Sequence, residues 1–388
     1  MAKAKEIHTN NYMQINPKDF INIFVNLYSN KDMFAHIPAI MLWGMPGVGK
    51  SQSVKEAADL LAKKLNKKAN VVVASLLLMN PIDLRGIPAK TEDDNGDMVA
   101  RWLTPEIFKM DASEDIVNVL FLDEISAAPP SVQAAAYQIC LDKRVGEHKL
   151  PKNCIVIAAG NRTTDKAVAY KMPKPLGNRL THFEMIADPE NWEYWAYHNG
   201  IDMRIIAFIK NNPDYLCNFD PSSDDVAFPT PRSWEMVNTY LKCGEMQDMF
   251  GCIAGTIGYG TAQEFSTYVN VYDKLPAWED IANGKLKAFP RKLSNGNPDA
   301  MYALSTMIAS HCVTLCKKAD VSKEQEMKKL NETLSNVCKF ISLIPQSEYI
   351  TVTCKDLCHS VSQDAIDILV SNPDFSNLIS EIADDIMP

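Results

Sequence analysis

The chain has 388 residues, 46% apolar and 22% charged, and a net charge of −9. That length supports two or three domains with a sizeable core, and the balance is that of an ordinary soluble protein. The acidic excess argues against a protein that coats nucleic acid, and no apolar stretch is long enough to span a bilayer.

Residues 1–12 read as a polar tail without the apolar core of an export signal. Ten cysteines with no CxxC pair then read as reduced thiols, so a cytoplasmic chain is expected. PKDFINIFVNLYSN (17–30) has helical apolar spacing with Pro17 near its start. AIMLW (39–43) is a short apolar run ending in a Gly-rich turn, followed by a helix pattern from Gln52 to Leu65. NVVVASLLL (70–78), NVLFL (118–122) and CIVIAAG (154–160) read as buried strands. Residues 81–104 read as an inserted loop or hairpin, 131–144 as a helix, and VGEHKL as a turn or hairpin. Alternating strands and helices imply a parallel sheet covered on both faces. After about residue 188 the strand signal fades, and helices bounded by Gly, Asn and Pro-rich connections take over. The expected division is an α/β domain over 13–188, a helical lid over 189–244 and a mainly helical region over 245–388.

GMPGVGKS, residues 44–51, matches the phosphate-loop pattern G-x-x-x-x-G-K-[ST] in full, between a strand and a helix. Gly44, Met45, Pro46, Gly47, Val48 and Gly49 would turn backbone N–H groups around phosphate oxygens. The helix that continues through Gln52 adds its positive end. Lys50 would reach the β- and γ-phosphates, and Ser51 would ligate Mg²⁺. In P-loop proteins a second strand beside the first ends in an acid that holds the metal. Asp123 fits that role, and Glu124, one residue further, can polarise an attacking water. Asn161, at the end of the third buried strand, can bond both water and phosphate, although an Asn in a turn is equally common there. Arg179 and Arg232 gain interest only if a nucleotide lies between subunits and domains; a lone arginine is usually solvated.

The ordered set GMPGVGKS, VLFLDE, AAGNR, NRL and TPRSWE resembles the AAA+ ATPases. The resemblance implies a P-loop αβα core with a helical lid, ATP and Mg²⁺ as ligands, Asn161 as sensor 1, Arg179 as arginine finger and Arg232 as sensor 2. PIDLRGIP…ARWLTPEIF (81–108) looks like the helix-2 insertion of the MoxR branch, and LDKRVGEHKLPKN (141–153) like the β-hairpin before sensor 1. Such proteins usually form hexameric rings that remodel other proteins, many with a partner bearing a von Willebrand factor A domain. The likeness covers roughly residues 35–245, and the family's usual Asn-Pro after sensor 1 is Asn161-Arg162 here.

Two other functions share this core. The basic run DKRVGEHKLPK keeps a nucleic-acid motor or nuclease-system NTPase open. A nucleotide-gated scaffold with negligible hydrolysis is the other, and the Asp123–Glu124 pair speaks against it. HCVTLC (311–316) and CKDLCH (354–359) have zinc-pair spacing, but thiols at i and i+4 on a helix more often pack as apolar residues. Nothing in the phosphate motifs reads the base.

Overall fold

The computed structural model describes residues 12–382 apart from 31–32, 35, 163–169, 171, 221, 294–296, 319–322 and 361–362. Nearly all of the expected polar tail thus lies outside the described residues. The chain divides into two compact units, Met1–Asp188 with Asp220–Asp224, and Pro189–Phe219 with Asp225–Pro388.

The first unit contains strands β1 (Met13–Ile15), β2 (Ile40–Trp43), β3 (Lys68–Ser75), β4 (Pro88–Glu92), β5 (Met98–Trp102), β6 (Ile116–Asp123), β7 (Arg144–Val145), β8 (His148–Lys149), β9 (Cys154–Gly160) and β10 (Thr181–Met185). Its helices are α1 (Pro17–Leu27), α2 (Lys50–Lys64), α3 (Pro81–Arg85), α4 (Pro130–Asp142) and α5 (Lys174–Gly177). Six strands form a parallel sheet in the order β1-β10-β2-β9-β6-β3. The runs of β2 and β9 carry no charged or amide side chain and β6 is buried from Val117 to Leu122, so these three take the centre, where both faces are covered. The less buried β3 takes an edge. On one face Met41, Trp43, Leu120, Leu122, Val156 and Ala158 pack with Val132, Ala135, Ala136 and Ile139 of α4. Strand alternation turns Leu42, Phe121 and Ile157, all fully buried, to the other face.

The insertion folds as the antiparallel hairpin β4–β5, and β7–β8 form the second hairpin. The strand expected to run to residue 78 ends at Ser75, and Leu76–Leu78 form one tight 3₁₀ turn. The sequence pattern does not reveal β1 or β10. β1 is a three-residue edge strand with one buried residue. β10 carries His182 and Glu184 where an apolar run would be expected, and both have partners: His182 bonds Trp43 and Gly177, and Glu184 pairs with Arg162.

The described part of the second unit is helical, from α6 (Pro189–His198), α7 (Met203–Asn211), α8 (Pro231–Cys243), α9 (Met246–Ile257) and α10 (Tyr259–Tyr272) to α11 (Trp278–Ala282), α12 (Pro298–Lys318), α13 (Glu324–Ile341), α14 (Ser347–Ser360), α15 (Gln363–Val370) and α16 (Pro373–Glu381). Phe208, Trp234, Phe265 and Tyr268 join α7, α8 and α10 through tilted and edge-on ring contacts. Cys312, Cys316, Cys338 and Cys354 lie in the apolar core, where burial pushes the Cys354 thiol up to about 12. A neutral thiol in that setting is packing material, as expected for the paired cysteines. Among the described residues, no group of three or more His, Cys, Asp or Glu could hold a metal ion, and no helix is long and apolar enough to cross a membrane.

Candidate nucleotide-binding site

β2 delivers the chain directly into the phosphate loop. Gly44 follows Trp43 so closely under β10 that a Cβ there would lie 2.5 Å from the Met185 carbonyl oxygen. Gly47 and Gly49 adopt φ of 81° and 98°, a region that glycine enters freely and other residues rarely. Gly49 caps α2 without a side-chain hydrogen bond, so the first N–H groups of that helix have no side-chain acceptor from their cap. This is the cradle that anionic oxygens fit.

Lys50, only 8% exposed, folds back on the loop. Its Nζ donates to Gly44 O at 2.6 Å, Met45 O at 3.0 Å and Asn161 Oδ1 at 3.3 Å. Ser51 Oγ donates to Asp123 Oδ2 at 2.9 Å, and Asp123 Oδ1 accepts the Glu124 N–H at 2.9 Å. A hydroxyl and a carboxylate in contact are the hard oxygen donors that suit Mg²⁺, whose remaining positions water and phosphate usually fill. Glu124 has φ of 58°, uncommon for a residue with a side chain, and its Oε2 accepts from Ser75 Oγ at 3.0 Å. Asn161 is held by its backbone, whose N–H donates to the buried Ser126 Oγ at 2.9 Å. A Cβ on Gly160 would meet that hydroxyl at 2.8 Å.

One expectation needs correction. The strand bearing the acids is not beside the phosphate-loop strand, because β9 runs between β2 and β6. The reason is burial: β9 is buried at all seven positions and needs a strand on each side. The interposed strand is what brings Asn161 onto Lys50.

No family model matches the chain, and no curated protein matches it in sequence. Among solved structures, a RuvB mutant of Thermotoga maritima is similar at 15% identity and a TM-score of 0.35, covering 77% of this chain and 83% of that one. The replication initiator DnaA bound to AMPPCP and single-stranded DNA is similar at 12% identity and a TM-score of 0.30, covering 96% and 98%. PCH-2 of C. elegans is similar at 15% identity and a TM-score of 0.28, covering 67% and 62%. These superpositions are loose, and the reading of the site rests on its own geometry.

Lys50, Ser51, Asp123, Glu124 and Asn161 therefore meet at the carboxyl ends of the sheet strands. Gln52 lies exposed in the first turn of α2. Arg179 does not join them. It precedes β10, whose first residue Thr181 pairs with Ile40 at the start of β2. It thus lies at the amino ends of the strands, separated from the phosphate loop by at least about 10 Å of strand rise. It is exposed, with no hydrogen-bond or ion-pair partner among the described residues. Arg232 belongs to the second unit, exposed in the first turn of α8, which Thr230 and Ser233 cap reciprocally.

The sequence reading missed Ser75, Ser126 and the Arg162–Glu184 ion pair. Ser75 pairs in register with Asp123, a relation between strands that no local pattern carries. Arg162 supplies the cation opposite Glu184, which is 1% exposed on β10.

Proposed function

We propose that the chain is a Mg²⁺-dependent ATP hydrolase of the AAA+ type, working as a homo-hexameric ring that remodels a partner protein or complex in the manner of the MoxR branch. The observation that carries this reading is the contact of Ser51 with Asp123 beside a Glu124 held by Ser75, next to Lys50 and Asn161. Ser51 and Asp123 are the residues that would hold Mg²⁺, which when bound supplies positive charge beside the phosphate oxygens. The Lys50 ammonium, which donates to the Gly44 and Met45 carbonyls at the mouth of the loop, is placed to pair with phosphate oxygens there. Glu124 orients the attacking water and takes its proton. The Asn161 amide, steadied through Ser126, donates toward the γ-phosphate while its oxygen keeps Lys50. Arg232 is assigned the sensor 2 role.

The location of Arg179 supports the ring. At the amino edge of its own sheet it is remote from its own phosphate loop, so its guanidinium serves a neighbouring subunit. The insertion supports a protein partner over a phosphate backbone. Between residues 81 and 104 acids outnumber bases five to three, and Ile82, Ile87, Met98 and Leu103 are all more than half exposed. That surface and the hairpin at 141–150 are assigned to the centre of the ring, and a partner with a von Willebrand factor A domain is the first to seek.

Glu124→Gln tests the reading. It is expected to bind ATP with Mg²⁺ as the parent does and to hydrolyse it at least ~100-fold more slowly, the scale of a positioned general base. Normal turnover would move water activation elsewhere. Unchanged calorimetric ATP affinity in Lys50→Ala would remove the nucleotide site altogether. The trapped Glu124→Gln ring is also the bait for partners, and a salt-titrated DNA-binding assay decides against or for the nucleic-acid motor.

A further inference from the structure

We infer that His182, held between Trp43 and Gly177, is the positioning residue for Arg179 and ties the phosphate-loop strand to the turn that serves the next subunit. The inference rests on the proposed role of Arg179 in a ring. Trp43 Nε1–H donates to His182 Nδ1 at 3.0 Å. Indole nitrogen can only donate, so Nδ1 accepts and the ring proton sits on Nε2. Nε2–H then donates to the Gly177 carbonyl at 2.7 Å. One neutral tautomer satisfies both ends. Gly177 O also accepts the Leu180 N–H at 3.1 Å, which closes a four-residue turn with Asn178 and Arg179 in the middle. The carbonyl that closes the Arg179 turn is thus the one His182 holds.

The other end of the link is the residue before Gly44. His182 pairs in register with Met41, so Met41, Trp43 and His182 share a face of the sheet, and the indole spans the remaining distance. Ring stacking fixes the plane of the imidazole. Trp43 and His182 lie nearly coplanar, edge to edge through their hydrogen bond, with centroids 6.1 Å apart at 13°, and Tyr12 stacks on both at 5.8 and 5.1 Å. Arg179 itself is exposed, so its aim depends on its backbone, and that backbone is set through His182 by the strand that bears the phosphate loop. The link runs between the two ends of the sheet, which no contact of Arg179 itself would achieve.

The test is asymmetric complementation in mixed rings. His182→Ala alone is expected to bind ATP normally and to lose ~10- to 100-fold in ATPase rate, the effect of a misaimed catalytic group. Mixed with Lys50→Ala, activity is expected to return, because the His182→Ala subunit supplies an intact phosphate loop and its neighbour an intact arginine. Mixed with Arg179→Ala, it is expected to stay low, because every phosphate loop is then intact but faces either a misaimed arginine or none. Trp43→Phe keeps an aromatic ring beside Tyr12 and removes the donor, so it is expected to show the same asymmetry more weakly even if His182→Ala folds poorly. Equal recovery in both mixtures, or recovery in neither with co-assembly shown, overturns the inference. If Arg179→Ala and Lys50→Ala fail to rescue each other in proven mixed rings, the ring reading itself falls, and this inference with it.

Discussion

Glu124 occupies the left-handed region, which costs a residue with a side chain on the order of 1 kcal/mol or more, and Ser75 holds its carboxylate there. A hydrogen bond to a charged group contributes about 1.5–3 kcal/mol, enough to restrain the proposed base in a nucleotide-free site. Ser75→Ala is therefore expected to raise basal ATPase activity by up to about tenfold in a partner-free assay, with ATP affinity unchanged; a fall in rate would mean that Ser75 helps to aim the base. At the Arg162–Glu184 pair, removing the cation leaves a buried carboxylate uncompensated, at about 3 kcal/mol or more. Denaturant titration of Arg162→Ala is expected to show that loss, and Arg162→Met with Glu184→Gln to recover most of it. The phosphate-loop residues and the paired acids were legible in the sequence because their chemistry is local. Ser75, Ser126 and His182 were not, because each acts through a strand far away in the chain.

At the scale of elements, the hairpin β4–β5 closes on Gly86, whose φ is 84° and whose added Cβ would lie 1.9 Å from the Leu103 carbonyl oxygen. Gly86→Ala is expected to spring the base of the hairpin and to speed tryptic cleavage at Lys90 or Arg101, while calorimetric ATP affinity holds. In the helical unit Lys210 on α7 bridges Glu193 of α6 at 2.7 Å and Asp356 of α14 at 2.6 Å. Burial raises the Glu193 pKa, and Lys210 pulls against that rise. In Lys210→Met the Glu193 carboxylate would bind a proton more readily folded than unfolded, so native stability is highest below the unfolded value and falls as pH rises through the folded one. Denaturation of that variant is thus expected to show a larger deficit at pH 8 than at pH 5; a deficit independent of pH would leave Glu193 out of account. The hairpins and central strands were readable from apolar runs and turn residues. β10 was not, because its two polar residues are tolerated only by partners on β2 and after β9.

For the whole molecule, light scattering with a non-hydrolysable nucleotide is expected to give six times the 43.3 kDa chain mass. Monomer at micromolar concentration would count against the ring. Equal mixtures of Arg179→Ala and Lys50→Ala are expected to recover roughly a quarter of the interfaces if subunits assemble at random and sites act independently. The α/β class and the helical remainder were readable from pattern alone. Sheet order was not, since burial on both sides of β9 is a property of the assembled layers.

In the proposed ring, Arg179 at the amino edge of the sheet and the phosphate loop at its carboxyl edge would give each subunit a donor end and an acceptor end. A two-fold symmetric pair formed through either end alone would complete no site. A head-to-tail pair would complete one of two, and an open row of any length would leave one acceptor unserved. Only closure serves every acceptor. Turnover per subunit is therefore expected to climb with protein concentration through the assembly range and to level off when the ends meet. Addition of the Arg179→Ala chain at substoichiometric levels is expected to act as a terminator, silencing the one acceptor it faces and lowering activity in proportion to its share of the mixture.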